Sequence, residues 1–389
     1  MHALLIGSRP REAYSALARL GVPFDVVLED GEEPGPDAGR ARHIHRRPYV
    51  SDPQSVLTVP RLFDYAGVYS FTEGGLFAAS LVTAAVGLPG PSPAAVLATR
   101  NKYLMRCTLA SHEVTQLPFG LLERDTPPAD AYPLIVKPIA GSGSAGVRRL
   151  DDPASFKEVL QEVIEEGVPD GSLMWESCFN GPQYTVEGMH DGADFRAVAV
   201  TGKVLSGPPH FVVLEHESPA ALEPEIRENL VAYARQCLAA LGVRYAATHT
   251  EIAFHDGQPQ LIETHTRPGG DTVPVIAALT TGWDQYELVL GAGWAERAGQ
   301  LATQRREVRG QVARTLHLTA EDTTPESLAD ASWLEDFPEF VRVGHACRFP
   351  GPGPADPRWG HILIAGDDRE RLADTSRRIR ARVRRDRPS

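Results

Sequence analysis

Cysteine is scarce in this chain, and long uncharged apolar runs are missing from it. The four cysteines among 389 residues show neither CxxC spacing nor a regular framework, so we expect neither disulfides nor structural zinc. The segment Met1–Gly7 lacks the basic start and cleavage signal of a secreted precursor, and no uncharged stretch has membrane-spanning length. A formal net charge of -12 argues against a nucleic-acid partner. The sequence therefore predicts a soluble cytoplasmic protein with neither membrane nor nucleic-acid partners.

The chain does contain enough apolar sequence, 42% over 389 residues, for two or three domains. Strand and helix patterns alternate near the N-terminus, with strands at 3–6, 24–28 and 67–71 and a helix at 9–20. This alternation predicts a parallel sheet. Thr72 is placed to cap a further helix over 74–86, and the proline-rich connector Leu88–Pro93 marks a domain boundary. The remaining sequence mixes strands and helices, so we expect an α/β domain followed by α+β domains.

One glycine-rich segment fits the GxGxxG pattern of dinucleotide-binding sites: Gly141-Ser142-Gly143-Ser144-Ala145-Gly146. That fingerprint needs a helix directly after the loop, whereas 147–150 has a strand pattern. The loop therefore joins two strands, and the first of them, 134–138, carries Lys137 near its end. Backbone N–H groups of such a flap can cover phosphates beside a fixed positive charge. The glycines alone would fit an ordinary surface hairpin, and Lys137 favours the phosphate interpretation.

Glu176 lies in the mostly apolar segment 173–179 and needs a partner if it is buried. An adenine amino group or a lysine such as Lys137 would serve. A half-exposed strand with an outward acid is the alternative interpretation.

The segment from Thr250 to His265 predicts a β-hairpin with its turn at Gly257. In the register centred there, Ile252 faces Ile262 and Ala253 faces Leu261. Glu251 and Glu263 then lie directly opposite each other, an arrangement that destabilises a sheet unless the charges are neutralised. A divalent cation is a common remedy, so we predict that Glu251 and Glu263 bind magnesium. The same face adds His265 as a third ligand, while an edge strand with inward charges is the alternative.

Beyond this hairpin, Arg267 precedes Pro268-Gly269-Gly270-Asp271 and a helix over 273–279. The exposed N–H groups of that helix, with Arg267 beside them, predict an anion site suited to a carboxylate or an acyl phosphate. A plain cap by Asp271 is the simpler alternative, and both can hold together.

In this order, the segments resemble the ATP-grasp superfamily, and within it the carboxylate–amine ligases such as the L-amino acid ligases. The resemblance runs over about residues 67–290. It is carried by these segments: 71–75, 100–106, 136–138 with the glycine loop, Glu176 with Phe179, Gly181 and 184–187, 208–220, Glu251, and 263–271.

The resemblance implies an ATP-grasp fold with a pre-ATP-grasp parallel-sheet domain, two ATP-clamping subdomains and a C-terminal α+β segment. The corresponding boundaries are 1–93, 94–180 with the glycine-rich lid, 181–305 with the metal site, and 306–389. It also implies an ATP-dependent ligase that joins a carboxylate to an amine and releases ADP and phosphate. Small-molecule substrates, with amino acids favoured, and a homodimer belong to the same expectation.

Residue roles follow from the same resemblance. Phosphates would be contacted by Lys102, Lys137 and the loop residues Ser142, Gly143, Ser144 and Gly146. Glu176 and the backbone near Phe179 would hold adenine, and Gln183 or Glu187 the ribose. Magnesium would be bound by Glu251 and Glu263, and Arg267 would stabilise the oxyanion. Candidate bases for the attacking amine are Glu73, His210 and His216, although Glu73 also suits a helix N-terminus and a lone histidine is more often structural.

Two positions depart from the family pattern. The metal strand ends in Glu263-Thr264-His265 where the family has Glu-x-Asn, so an imidazole replaces an amide oxygen. Magnesium prefers oxygen, which leaves His265 displaced, reaching the metal through water, or favouring manganese. Gln183 stands where related ligases often carry a ribose-binding acid, which leaves Glu187 as the candidate.

Three rival functions share the fold: a non-catalytic ATP-binding regulator, which His265 favours, a biotin-dependent carboxylase and a ligase of purine synthesis. The chain has no Met-Lys-Met biotin-attachment sequence and no clear nucleotide-substrate signature.

Overall fold

The computed structural model describes most of the chain. The described residues are 2–35, 37–122, 132–141, 143, 146–165, 172–207, 211–292, 304–319, 322, 331–345 and 358–385. Among the helices in these ranges, none combines the length and the apolar character needed to cross a membrane.

The N-terminal sheet has four parallel strands in the order β3-β2-β1-β4. The strands are β1 His2–Ile6, β2 Phe24–Leu28, β3 Ile44–Arg46 and β4 Tyr65–Ser70, with helix α1 Arg11–Leu20 between the first two. Strands β1 and β2 are almost wholly buried, as their uninterrupted apolar runs require in a parallel sheet. The parallel sheet predicted from the sequence is confirmed.

Helix α2 spans Leu76–Val86 and follows β4. The predicted cap by Thr72 is wrong, because Gly75 occupies the N-cap position and no side chain accepts a capping hydrogen bond. The Thr72 hydroxyl instead lies 3.2 Å from the Ser70 hydroxyl. The close approach of β1 explains the glycine: a Cβ on Gly75 would lie 2.4 Å from Ser70 Oγ and 3.1 Å from the Ile6 carbonyl oxygen.

A second, smaller sheet has the strand order β5-β8-β6-β7. Its strands are β5 Phe119–Leu121, β6 Leu134–Pro138, β7 Arg148–Leu150 and β8 Leu173–Ser177, and helix α5 Phe156–Glu165 packs on β7. Two helices precede it, α3 Pro93–Arg100 and α4 Lys102–Ser111. Although the predicted division at 93 and 180 groups these helices with the small sheet, their apolar residues join the core of the largest sheet.

The largest sheet has eight strands in the order β13-β12-β9-β10-β11-β14-β16-β15, all antiparallel to their neighbours. They are β9 Gln183–His190, β10 Phe195–Leu205, β11 Val213–Ser218, β12 Ala246–His255, β13 Gln258–His265, β14 Val312–Thr319, β15 Phe340–His345 and β16 Arg358–Gly366. The strands after residue 306 thus extend the sheet that carries the predicted metal hairpin.

Four further helices cover this sheet: α6 Pro224–Ala240, α7 Val273–Thr281, α8 Gln285–Gly291 and α9 Arg369–Arg385. Helix α6 packs with α3 and α4 over one apolar cluster, and α9 packs over the end formed by β14 and β16. Buried polar side chains lie on β9, β10, β11 and β14, among them Thr185, Thr201, His216 and Thr315. A face built this way is suited to polar ligands rather than to packing alone.

The predicted hairpin is present as β12 and β13, with a two-residue turn at Asp256 and Gly257 that both have positive φ. Glu251 pairs with Glu263, as predicted. The predicted register of Ile252 and Ala253 is wrong, because they pair with Leu261 and Gln260. A two-residue turn shifts the register by one position relative to a turn centred on Gly257, and a bulge after Glu251 restores it.

Candidate functional site

The opposed pair Glu251 and Glu263 lies at the centre of a network of charged groups. The Glu251 carboxylate contacts the ammonium of Lys203, from β10, and its Oε1 lies 3.0 Å from His249 Nε2. Glu263 Oε2 lies 2.9 Å from Lys102 Nζ, at the start of α4. Each carboxylate therefore has its own lysine, and these cations relieve the repulsion predicted for the pair.

Two histidines continue the network along the same face of the hairpin. The rings of His249 and His265 are stacked with centroids 6.2 Å apart. His265 Nε2 lies 3.2 Å from Glu263 Oε1, and His249 Nδ1 lies 2.6 Å from Glu187 Oε1. Burial lowers the pKa of His249, but the Glu187 carboxylate outweighs it and raises the pKa to about 9. His249 is therefore a cation at neutral pH.

Both carboxylates of the opposed pair stay ionised. Burial opposes ionisation of Glu251, yet the charge of Lys203 prevails and holds its pKa at about 2. Glu263 is similar: burial favours the neutral acid, but Lys102 and then His265 hold its pKa well below the usual range. Two hard anionic oxygen donors face each other, which is the chemistry that a magnesium ion requires.

The donor set therefore fits Mg²⁺ at Glu251 and Glu263. The structure brings these two residues together and places His265 beside Glu263. Among the described residues, however, Glu251, Glu263 and His265 do not form a group whose ligand atoms all lie within 4.8 Å of one another. The third ligand predicted at His265 is thus a neighbour of the pair rather than part of a closed three-ligand set.

Glu73 lies at the far end of the hairpin, where the N-terminal unit meets the large sheet. Its carboxylate accepts a hydrogen bond from Arg267 Nε at 2.9 Å, and it lies 3.3 Å from Arg100 Nε and 3.4 Å from His265 Nδ1. Burial would raise the pKa of Glu73, but His265 and Arg267 hold it far below its usual range. Such a weakly basic carboxylate is suited to positioning Arg267 rather than to accepting a proton.

A separate buried trio links the small sheet to the large one. Lys137 Nζ donates a hydrogen bond to Glu176 Oε1 at 2.7 Å, and Arg106 Nε donates to Glu176 Oε2 at 2.9 Å. Arg106 also donates to the carbonyl of Leu261 on β13. Both oxygens of Glu176 are therefore occupied by protein cations, so the lysine partner predicted as one alternative is the one observed.

Burial strongly affects this trio. Desolvation lowers the pKa of Lys137 to about 8, with Glu176 opposing the shift. Burial would raise the pKa of Glu176, but the nearby Arg106 and Lys137 charges lower it. Glu176 consequently remains a carboxylate and fixes the position of Lys137.

The glycine-rich loop joins β6 to β7, and these strands pair antiparallel. The predicted strand–loop–strand arrangement is confirmed, and a dinucleotide fingerprint is excluded because no helix follows the loop directly. Gly143 and Gly146 have positive φ, and Lys102 Nζ donates a hydrogen bond to the Gly141 carbonyl at 3.0 Å. The predicted phosphate contacts Ser142 and Ser144 lie outside the described residues.

The segment between β8 and β9 is held by the tip of the β12–β13 hairpin. Phe254 N donates to the Pro182 carbonyl at 2.9 Å, and His255 Nδ1 lies 2.6 Å from the Asn180 carbonyl. Gly181 has φ of 149°, and a Cβ there would lie 2.2 Å from the Phe254 carbonyl oxygen. Phe179 and Gln183, which are both half-buried, flank this hinge.

The two ribose candidates have different surroundings. Gln183 is half-buried and pairs in register with Lys203. Glu187 is fully buried behind His249, and its second oxygen, Oε2, has no hydrogen-bond partner among the described residues. Its position is that of a group that orients His249.

Of the two histidines predicted as amine bases, His216 lies on β11 and His210 lies outside the described residues. His216 is 3% exposed, and burial holds its pKa well below the usual range. Asp271 does not cap α7: Thr272 occupies the N-cap position without a side-chain bond, and the Asp271 carboxylate pairs with Arg358 at 2.6 Å. The simple helix-cap prediction for Asp271 is therefore wrong.

Sequence reasoning missed Arg106, Lys203 and His249, which contact Glu176, Glu251 and Glu187, respectively. Lys203 and Arg106 reach the site through tertiary contacts, which local sequence patterns do not predict. The sequence does contain a pattern from which His249 could be predicted. His249-x-Glu251 mirrors Glu263-x-His265 on the paired strand, so both histidines must point to the same face of the hairpin.

Comparison with known proteins identifies a domain within the chain and a fold for the whole chain. Residues 130–275 match the model of the ATP-grasp domain. Among curated proteins, the uncharacterized protein y4rH of Sinorhizobium fredii is 29% identical over 306 residues, which cover 72% of this chain and 60% of that protein. The alanine–anticapsin ligase of Bacillus subtilis is 26% identical over 324 residues, or 74% of this chain and 65% of the ligase. The chain thus spans less than two thirds of the length of these relatives.

Among solved structures, the L-amino acid ligase from Bacillus licheniformis superposes with a TM-score of 0.80 at 23% identity and covers 97% of both chains. That likeness establishes the fold over nearly the whole chain. The motif order predicted the same fold, and the prediction is confirmed. Residues 130–275 therefore form an ATP-grasp domain, and the chain has the fold of this ATP-grasp ligase over nearly its whole length.

Proposed function

We propose that the protein joins a carboxylate to an amine, one or both from amino acids, and converts ATP to ADP and phosphate. The observation that carries the proposal is the opposed pair Glu251 and Glu263, flanked by Lys102 and Lys203 and lying beside the Glu73–Arg267 pair. This arrangement combines a hard metal site, phosphate-binding cations and an arginine for an anionic substrate group on one continuous face.

The nucleotide would lie between the small and the large sheet. Lys102 and Lys137 would supply positive charge for the phosphates, and backbone N–H groups of the glycine loop, such as those of Gly143 and Gly146, would cover them. The buried Arg106–Glu176–Lys137 contacts support a role for Glu176 in holding Lys137 rather than in binding adenine directly. Adenine would then rest on the hinge backbone near Phe179, with Gln183 at the ribose and Glu187 behind His249.

Glu251 and Glu263 would hold Mg²⁺, which would neutralise charge on the phosphates when bound. His265 would then contribute through its contact with Glu263 or, with manganese, as a direct ligand. Displacement of Lys102 from Glu263 would free its ammonium for the nucleotide.

The chemistry needs an activated carboxylate, because a free carboxylate is a poor electrophile. Transfer of the γ-phosphoryl group makes an acyl phosphate, and attack by an amine then releases phosphate. Arg267, which Glu73 holds, would stabilise the oxyanion of the tetrahedral intermediate. The amine must lose a proton, and the neutral imidazole of His216 suits that role better than the strongly acidic Glu73. His210 remains the other candidate.

Distant similarity to an alanine–anticapsin ligase and to an L-amino acid ligase supports amino acids as the substrate class. The test is to incubate the protein with ATP, Mg²⁺ and pools of amino acids, to quantify ADP and phosphate, and to identify products by mass. We expect ADP and an amide product in equal amounts. Release of AMP would overturn the acyl-phosphate route, and tight ATP binding without turnover under Mg²⁺ or Mn²⁺ would indicate a regulatory ATP sensor instead.

A further inference from the structure

We propose that His216, Asp271 and His317 form a second metal site, for a divalent transition ion such as Zn²⁺ or Mn²⁺. One ligand atom from each residue lies within 4.8 Å of the other two. Among the described residues, these three form the one group of three or more histidine, cysteine, aspartate or glutamate side chains that meets this distance. An ion bound there would occupy His216, and the role of amine base in the proposed reaction would then fall to His210.

Adjacent strands bring the two histidines together. His216 on β11 pairs in register with Thr315 on β14, and His317 lies two residues farther along the same face of β14. The two imidazole rings meet edge to face with centroids 5.6 Å apart. Both residues are only 3% exposed, so the sheet backbone and the surrounding core fix their positions.

Asp271, in the turn before α7, supplies the carboxylate of this site. Asp271 and Thr272 both adopt positive φ, 52° and 67°, which is an unfavourable conformation for residues with a Cβ. The Thr272 hydroxyl lies 2.7 Å from the Thr315 hydroxyl and fastens this turn over β14. The strained turn thus holds Asp271 beside His216 and His317.

The donors suit a transition ion. His216 Nδ1 is buried and has no hydrogen-bond partner in the part of the chain that the structure describes, and an unsatisfied buried nitrogen is costly unless something binds it. Arg358 Nη1 donates a hydrogen bond to Asp271 Oδ2. This bond orients the carboxylate, as hydrogen-bond partners of metal ligands commonly do. The Asp271 side chain is 37% exposed, which provides a path from solvent.

This site differs in chemistry from the Glu251–Glu263 pair. Two imidazoles with one carboxylate favour zinc, manganese, iron or cobalt, whereas two carboxylates favour magnesium. Lys203 separates the two positions, since it pairs in register with His216 while its ammonium contacts Glu251. Excess Mg²⁺ should therefore occupy the carboxylate pair and leave the histidine site to the softer ion.

The experiment measures metal retention by the full chain. Protein stripped with a chelator is reloaded with Zn²⁺, or with Co²⁺ as a spectroscopic probe, in excess Mg²⁺, then dialysed and analysed by elemental mass spectrometry and visible absorption. We expect one retained transition ion per chain. His317→Ala and Asp271→Asn should each weaken its binding by at least about tenfold.

Two variants serve as controls. His361→Ala removes a buried imidazole whose ring centroid lies 6.3 Å from that of His317, and Glu263→Ala removes a carboxylate of the opposed pair; both should retain the ion. Circular dichroism checks the fold, and the exposed Asp271 makes Asp271→Asn decisive if His317→Ala does not fold. Failure of the wild-type chain to retain an ion would overturn the proposal. So would loss in Glu263→Ala with retention in both test variants.

Discussion

Lys102 Nζ lies 2.9 Å from Glu263 Oε2, and the same ammonium donates a hydrogen bond to the Gly141 carbonyl. One side chain therefore connects the start of α4, strand β13 and the glycine loop between β6 and β7. Lys102 thereby neutralises charge on the opposed carboxylates. If a nucleotide with Mg²⁺ took over both contacts, as we propose, this lysine would couple nucleotide binding to the position of the Gly141 carbonyl.

Glu263→Ala tests the metal assignment most directly. The variant removes one of two opposed carboxylates, and we expect kcat of metal-dependent ADP formation to fall by roughly 100-fold or more with the fold intact. Gln258→Ala, an exposed change at the start of the same strand, is the matched control and should leave turnover unchanged. Unchanged activity in Glu263→Ala would remove Glu263 from the metal site.

Arg106 should contribute mainly to stability. It is 1% exposed and bonds both Glu176 and the Leu261 carbonyl, so Arg106→Leu leaves a buried carboxylate with only one partner. Breaking a buried ion pair on one side costs about 3–5 kcal/mol, and chemical denaturation should show a loss of this size. Arg235→Leu, which removes an arginine stacked over Phe195, should cost about 1 kcal/mol or less. Equal losses in the two variants would contradict the structural role of Arg106.

The sequence predicts those parts of the site that depend on local periodicity. The opposition of Glu251 and Glu263 follows from alternation along two strands joined by a short turn, and the strand–loop–strand form of the glycine segment follows from its flanking apolar runs. The bulge after Glu251 could not be predicted in this way. A two-residue turn and a turn centred on Gly257 give registers that differ by one position, and the apolar pattern does not distinguish them.

Contacts between distant segments could not be predicted in this way. Lys203 meets Glu251 from 48 residues away, and Arg106 meets the Leu261 carbonyl from 155 residues away. Their partners depend on the strand order of the large sheet and on the packing of α4, neither of which is encoded in spacing. The surroundings of Glu176 illustrate the consequence. The sequence indicates that a buried Glu176 needs a partner such as Lys137, but it does not indicate Arg106 as a second cation.

Gly181→Ala should destabilise the hinge. The change places a Cβ 2.2 Å from the Phe254 carbonyl oxygen at a φ that residues with a side chain rarely adopt. We expect the free energy of unfolding to fall by about 2–4 kcal/mol and KM for ATP to rise, because the backbone near Phe179 moves. Gly31→Ala is the control, since Gly31 also has positive φ but nothing lies within 4 Å of the added Cβ; it should cost only about 1 kcal/mol. Equal costs would show that close packing at Gly181 is unimportant.

His249 should make stability depend on pH. Its pKa is raised from 6.5 to about 9 in the folded chain, so the folded state binds the extra proton more tightly than the unfolded state does. The resulting stabilisation is fully present below pH 6.5 and is lost as the pH rises to about 9, with a size of up to roughly 3 kcal/mol.

The measurement compares the unfolding free energy of the wild type and His249→Gln between pH 6 and pH 9.5 at fixed ionic strength, a range chosen to bracket roughly the two pKa values. Lys137 acts in the opposite direction above pH 8, because its pKa is lowered to about 8, and taking the difference between the two proteins removes that contribution. We expect the wild-type advantage to shrink steadily as the pH rises. A difference independent of pH would mean that the His249–Glu187 contact is not an ion pair.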